Sequence, residues 1–218
     1  MLKTGGTRVT DTEAEVLRRR PTQDRSAQRL ELILDTTAAI IDELGLNAVS
    51  PSLVARRSGM SGPAIYRYFS DGDGIIRALA RRNLERFLES TQRMLSDVQL
   101  SWEDAIAGSV EMYSSMYREE PGFQALRFGS GPTARFSDEE TNLSVVARST
   151  IGHFQPRYET WDRPGMLRTI EAMLQIIEAL VGRAYEGDNS EFFIAEAKRL
   201  SINYLGEFLL TVPGTPPE

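Results

Sequence analysis

The sequence predicts an all-α fold, and three observations lead there. Apolar residues recur at three- and four-residue spacing in one stretch after another. The breaks between these stretches hold residues that start and stop helices, such as Ser-Pro, Asp-Gly and Glu-Pro-Gly. No strand-like alternation of useful length interrupts them.

The segment from Met1 to about Gln23 lacks an apolar period. It is polar, contains Gly5-Gly6, and ends in Arg18-Arg19-Arg20-Pro21. It reads as a flexible tail or, alternatively, as a basic arm lying beside a DNA contact. Leu30, Ile33, Leu34, Thr37, Ile40, Ile41 and Leu44 then mark a first helix, and Gly45 stops it. Ser50-Pro51 opens a short second helix, with Ser as cap and Pro at the first helical position, and Ser58-Gly59 closes it. A short third helix is expected from Gly62 to Phe69. A fourth starts near Asp73 as its cap and carries Ile75, Ile76, Leu79, Leu84, Phe87 and Leu88 toward Leu95. Ser101–Asp104 and Ser137–Glu140 resemble capping boxes of further helices. The final two helices are expected over Gly165–Tyr185 and Ser190–Leu210.

Composition narrows the function. The chain has 218 residues, 41% of them hydrophobic, which allows a small domain joined to a larger one. With no Cys, thiol nucleophiles and thiolate metal sites are excluded. No stretch reaches the roughly 18 apolar residues of a membrane span, and no signal peptide opens the chain. These features predict a cytoplasmic protein without a membrane role. The net charge of -6 at first speaks against a nucleic-acid partner. Its distribution does not: residues 1–82 carry 13 Lys+Arg against 10 Asp+Glu, and the remainder 12 against 21. Phosphates respond to the face presented rather than to the total.

Two short helices joined by a Gly turn, the second rich in Tyr and Arg, describe a helix-turn-helix over Ser50–Phe69. Val54 and Ala55 on its first helix, and Ile65 and Phe69 on its second, are expected to pack inward. Gly59 permits the positive backbone angle of the turn. Ser61 is placed to cap the second helix. The DNA-facing set is then Ser50, Ser52, Ser61, Gly62, Pro63, Ala64, Tyr66, Arg67 and Tyr68.

These residues resemble the signature of the tetracycline-repressor (TetR) family. Ser50, Val54-Ala55, Ser58-Gly59-Met60-Ser61 and Ile65-Tyr66-Arg67-Tyr68-Phe69 stand in that family's order and spacing, without a gap. The resemblance covers about fifty residues. It implies an N-terminal three-helix DNA-binding domain followed by a larger helical domain that holds a small molecule and dimerises. It also implies repression more than activation, with a palindromic operator. The residues themselves offer no nucleophile-base pair, Gly-rich phosphate loop or metal cluster, so no catalysis or cofactor is expected. One position departs from the pattern. The family commonly has a Lys three residues after the Phe, against a backbone phosphate, and this chain has Gly72 between Asp71 and Asp73. The expected consequence is a missing phosphate clamp, which Gly72→Lys would restore.

The middle of the chain concentrates Met and aromatic residues. Most will be core, but such side chains also line adaptable pockets. Met112, Tyr113, Met116, Phe123, Phe128, Phe154, Trp161 and Met173 are the ligand candidates. His153, the single histidine, has no Cys and no evident catalytic partner, so it reads as an ordinary helix or pocket residue. The last two helices carry more apolar residues than one core stripe uses, which predicts a four-helix dimer interface with Ile177, Leu180, Leu205 and Phe208. The expected organisation is therefore a tail over 1–23, a DNA-binding domain over 24–72, and a ligand-binding and dimerisation domain over 73–218. The competing readings are a helix-turn-helix protein acting through a protein partner, and an all-α protein that does not touch DNA.

Overall fold

The computed structural model of the chain describes residues 11–96, 100–125 and 140–210, with side chains from residue 25 onward. Eight α-helices occur among the described residues: α1 Asp11–Leu44, α2 Pro51–Ser58, α3 Gly62–Tyr66, α4 Gly72–Leu95, α5 Trp102–Glu119, α6 Asn142–Phe154, α7 Met166–Ala184 and α8 Ser190–Leu210. No strand is found among those residues.

Local chemistry sets most of the boundaries. Ser50 accepts a hydrogen bond from the Leu53 N–H at 3.3 Å, and Pro51 takes the first position of α2, where its missing N–H costs nothing. Gly59 ends α2 at φ 70°, in the left-handed region that a side chain disfavours. Ser101 caps α5 through the Asp104 N–H at 3.0 Å, as its capping box predicts. The cap of α6 is Thr141, bonded to the Ser144 N–H at 3.1 Å. Of the box expected at Ser137–Glu140, only Glu140 lies within the described residues, and it precedes the helix.

Three boundaries differ from expectation. Helix α1 begins at Asp11, so it takes in residues 11–23 that the sequence reading gave to a tail. Thr-Glu-Ala-Glu-Val-Leu-Arg is a run of mostly strong helix formers, which outweighs its lack of apolar period. Helix α3 ends at Tyr66, and one more turn, with Tyr68 and Phe69 N–H groups on the Ile65 carbonyl, carries the chain to Phe69. The cap of α4 is Asp71 instead of Asp73; its carboxylate accepts from the Gly74 N–H at 2.7 Å.

The helices enclose two hydrophobic cores. The N-terminal core joins Ile33, Ile40 and Ile41 of α1 to Val54 of α2, Ile65 of α3, and Ile75, Leu79 and Ala80 of α4. The second core joins Leu84 and Phe87 of α4 to α5, α6, α7 and α8. Burying each such Leu, Ile or Phe contributes about 1.5–3 kcal/mol. Among the described residues α4 is the helix that serves both cores, so it ties the small unit to the large one. Helices α7 and α8 form the most extensive pair, and α8 also packs on α5.

A polar clamp reinforces the junction of α1 and α4. Arg82 of α4, nearly buried, donates to Glu31 at 3.1 Å and to Asp35 at 2.7 Å, both on α1. Arg86, one turn on, reaches Glu31 and also Glu120 at the end of α5. The Gly122 N–H donates to Asp42 of α1 at 2.7 Å. The end of α5 is thereby fastened to α1.

Candidate nucleic-acid interface and interior cavity

Val54, Ala55 and Ile65 are buried between α2 and α3, which fixes the angle between these two short helices. Phe69 is half-buried against the same core. What this packing leaves outward is a compact polar face. Ser52, Ser61, Pro63, Tyr66 and Arg67 are exposed, and Gly62 and Ala64 are partly so. Tyr66 stands 54% exposed, too much for an aromatic residue with only a core role.

Two members of the expected DNA-facing set have internal duties. The Ser50 hydroxyl is the cap of α2. Tyr68 is half-buried beside Phe69, and its hydroxyl shares a 3.1 Å hydrogen bond with Ser26 of α1. Ser61, expected to cap α3 by its side chain, makes no such bond. The exposed arginines Arg25, Arg29, Arg56 and Arg77 surround the motif on α1, α2 and α4. Sequence reasoning did not assign them. Their signal was the basic excess of the first 82 residues, which has no helical period of its own.

Gly72 corrects the expectation about a missing clamp. A Cβ placed on it would lie 2.4 Å from the backbone oxygen of Val49. The position faces the link between α1 and α2 and not the outside, so a Lys there has no room. Asp71, for its part, is occupied as a helix cap. The Gly74 N–H holds its carboxyl below the usual carboxylate range, helped by the Ser70 hydroxyl and then by the charge of Arg77.

In the larger unit, Phe87 of α4, Ser109 and Tyr113 of α5, Leu143 and Val146 of α6, and Leu174, Ile177 and Glu178 of α7 enclose a cavity of about 20 Å³. That is room for one or two waters in an almost wholly apolar wall. Glu178 is a buried acid in this wall, and the Tyr113 hydroxyl donates to it at 3.4 Å.

Of the eight ligand candidates, Tyr113 lines this cavity. Met112 and Met116 lie instead on an open groove between α4 and α5, with Arg93, Met94 and Glu111. Phe123, Phe154, Trp161 and Met173 are core residues: Phe123 meets Tyr113 edge-on at 5.4 Å, and Phe154 and Trp161 sit 4.7 Å apart. Phe128 lies outside the described residues. The sequence reading missed Phe87, Ser109, Leu143, Val146, Leu174 and Glu178, and gave Ile177 to another role.

The expected dimer residues divide in the same way. Leu205 is fully buried and Ile177 is 5% exposed within one protomer, so neither has surface to offer a partner. Leu180 and Phe208 are half-buried. The exposed apolar side chains of α8 are Phe192, Leu200, Tyr204 and Leu210. His153 contacts the Arg157 guanidinium through Nε2 and the Phe154 ring edge-on. No group of His, Asp and Glu suited to a metal ion occurs among the described residues.

Comparison with known proteins places this geometry. Residues 33–79 match the model of bacterial regulatory proteins of the tetR family. Residues 100–209, half of the chain, match the tetracyclin repressor-like C-terminal domain. The chain belongs to the TetR family. It is a DNA-binding transcriptional regulator, and the family is not one of enzymes.

Among related sequences, the HTH-type transcriptional regulator BetI of Stenotrophomonas maltophilia is 30% identical over 69 residues, 32% of this chain and 35% of that protein. The match thus spans about a third of that relative's length. Among solved structures, a TetR-family transcriptional regulator from Streptomyces coelicolor superposes with a TM-score of 0.67 and 29% identity, over 83% of this chain and 99% of that one. The regulator FadR of Bacillus subtilis, solved with stearoyl-CoA, gives a TM-score of 0.62 at 16% identity, over 84% and 98% of the two chains. At that identity the likeness concerns the fold. No helix among the described residues is long and apolar enough to cross a membrane.

Proposed function

We infer that this TetR-family regulator is a cytoplasmic repressor that a small apolar or amphipathic molecule releases from a palindromic operator. One observation supports the reading above the others: α4 begins in the core of the helix-turn-helix and, about four turns on, lines the cavity with Phe87. The cavity of about 20 Å³ is too small for such a molecule, so a ligand enters only by moving a wall. A shift of α4 then reorients α3. DNA affinity falls because both recognition helices of a dimer must enter grooves about 34–36 Å apart. A ligand can move that equilibrium only as far as it prefers the displaced state.

The homodimer is part of the proposal. Phe192, Leu200, Tyr204 and Leu210 make an exposed apolar stripe on α8, and a second copy of α8 would cover it. Bases are read by Tyr66 and Arg67 with Gly62, Pro63 and Ala64, while Ser52 and Ser61 meet phosphates. A gel shift with the DNA upstream of the protein's own gene tests the reading. Retardation competed away by that fragment, but not by random DNA, supports it. Binding with no sequence preference, or none, removes it in favour of a protein partner.

A further inference from the structure

We propose that Asn83 is the polar anchor of the cavity's ligand, which is an apolar molecule ending in a neutral head group that both donates and accepts hydrogen bonds. The proposal rests on the effector reading of the cavity. Asn83 is 1% exposed, yet neither its amide oxygen nor its amide nitrogen has a hydrogen-bond partner. A buried amide left in this way loses its water bonds with no return, so such groups call for a reason. It stands four residues before Phe87 on α4, which sets the two Cβ atoms about 5–6 Å apart on one face of the helix. Both are buried; Phe87 is a wall of the cavity, and Asn83 lies one helical turn beyond the lining.

Comparable orphans lie elsewhere. Among the described residues, buried unpartnered side-chain atoms also occur on Arg82, Trp161 and Ser201. Arg82 is turned to α1, and neither the Trp161 turn nor α8 contributes a cavity-lining residue. Asn83 is the one of these a single helical turn from the wall, along the helix that reaches the DNA-binding unit.

The chemistry of the ligand follows from the two surfaces. Phe87, Leu143, Val146, Leu174 and Ile177 take an alkyl or aryl body. The Asn83 amide offers two donors and an acceptor, so it pairs best with a group that offers both, such as a carboxamide or a hydroxyl. One neutral amide does not repay the desolvation of an ion, so the head is uncharged. The position of Asn83 adds a consequence. It lies between Ala80, the last α4 residue of the N-terminal core, and Leu84, the first of the larger one. A ligand that grips Asn83 therefore pulls on α4 where the two units meet.

Three probes with a common body test this: 4-butylbenzamide, butylbenzene and 4-butylbenzoate, titrated into the full chain by calorimetry. The benzamide is expected to bind roughly tenfold or more tighter than the other two, the factor that one or two added hydrogen bonds supply. It is also expected to shift the side-chain amide resonances of Asn83. In Asn83→Leu, butylbenzene binds as before, the advantage of the amide disappears, and the melting temperature holds or rises. Asn83→Ala loses the same advantage should leucine not fit. An amide preference that survives in both variants overturns the proposal while the cavity reading stands. Benzoate binding as tightly as the benzamide overturns the neutral head group. Failure of all three probes to bind at millimolar concentration overturns the proposal and the cavity reading together.

Discussion

The Cβ that Gly72 lacks would stand 2.4 Å from the carbonyl oxygen of Val49, and 3.2 Å from its carbonyl carbon. Backbone meets backbone there, at the start of α4 and the link into α2, and neither can retreat as a flexible side chain would. This close approach sets the seating of α4 on the helix-turn-helix. Gly72→Ala and Gly72→Lys are both expected to destabilise the protein by about 1–3 kcal/mol, the usual cost of overpacking. Neither adds a phosphate contact, so the salt dependence of DNA binding stays unchanged. Urea melts beside anisotropy titrations over a range of salt check both parts. A Lys variant with normal stability and a steeper salt slope would show that position 72 faces DNA.

Arg67 is exposed just past the end of α3, clear of the core. Arg67→Ala is expected to weaken operator binding by about 1–3 kcal/mol if the guanidinium reads a guanine. Melting should change by less than about 0.5 kcal/mol, as for most surface changes. An equal loss on operator and random DNA would assign Arg67 to phosphate instead.

The helix-turn-helix was legible because its determinants are local. Ser50, Pro51 and Gly59 each act within a turn of where they stand, and Val54 and Ile65 pack across a single bend. The cavity was not, because four helices supply its wall with only one to three residues each. Richness in Met and aromatic residues marked the middle of the chain, but large rings fill a core as readily as they line a pocket, and Phe154 and Trp161 do the former. A usable signal was present in Glu178, a lone acid within Ile176-Ile177-Glu178-Ala179-Leu180. The surplus of apolar residues on α7 and α8 also misled. Contacts with α5 and α6 consume much of it, and Leu205 with it.

Arg82 gives a measure of the clamp between α1 and α4. Its side chain is nearly buried, but its partners Glu31 and Asp35 are about half exposed or more. Removing the arginine returns two carboxylates to water instead of stranding buried charge. Arg82→Leu should therefore cost about 1–2 kcal/mol, below the 3–5 kcal/mol typical of a broken buried pair. Chemical denaturation of the variant, with Glu31→Gln and Asp35→Asn alongside, measures it. A larger loss for Arg82→Leu than for both acid variants combined would point to packing of the aliphatic stem.

Burial holds the His153 imidazole below its ordinary pKa of 6.5, and the neighbouring Arg157 charge lowers it further. The folded state then binds fewer protons than the unfolded chain between the lowered value and 6.5. Stability from this group is complete above about 6.5 and declines as pH falls below it. His153→Gln should flatten the stability profile between about pH 7 and pH 5, relative to the parent, because the titrating group is gone. Melting curves at half-unit intervals test this. Parallel profiles for the two proteins would show that His153 does not contribute.

The proposed dimer rests on the outer face of α8. Leu200 and Tyr204 are 37% and 40% exposed on successive turns of that helix, whereas Leu205 beside them is fully buried. Leu200→Glu with Tyr204→Glu should leave the protomer folded, since both carboxylates can stay in water. The same charges facing each other across a shared stripe would repel and deprive it of its apolar contacts. Sedimentation is then expected to give monomers, and operator binding to fall away because one recognition helix reads only half a palindrome. Leu205→Glu is the contrasting variant. It places a charge in the core and should cost about 4 kcal/mol or more, losing the fold itself. Comparing the two separates interface from interior. A Leu200, Tyr204 double variant that still sediments as a dimer at micromolar concentration would move the interface off this face, and a monomeric parent protein would remove the dimer altogether.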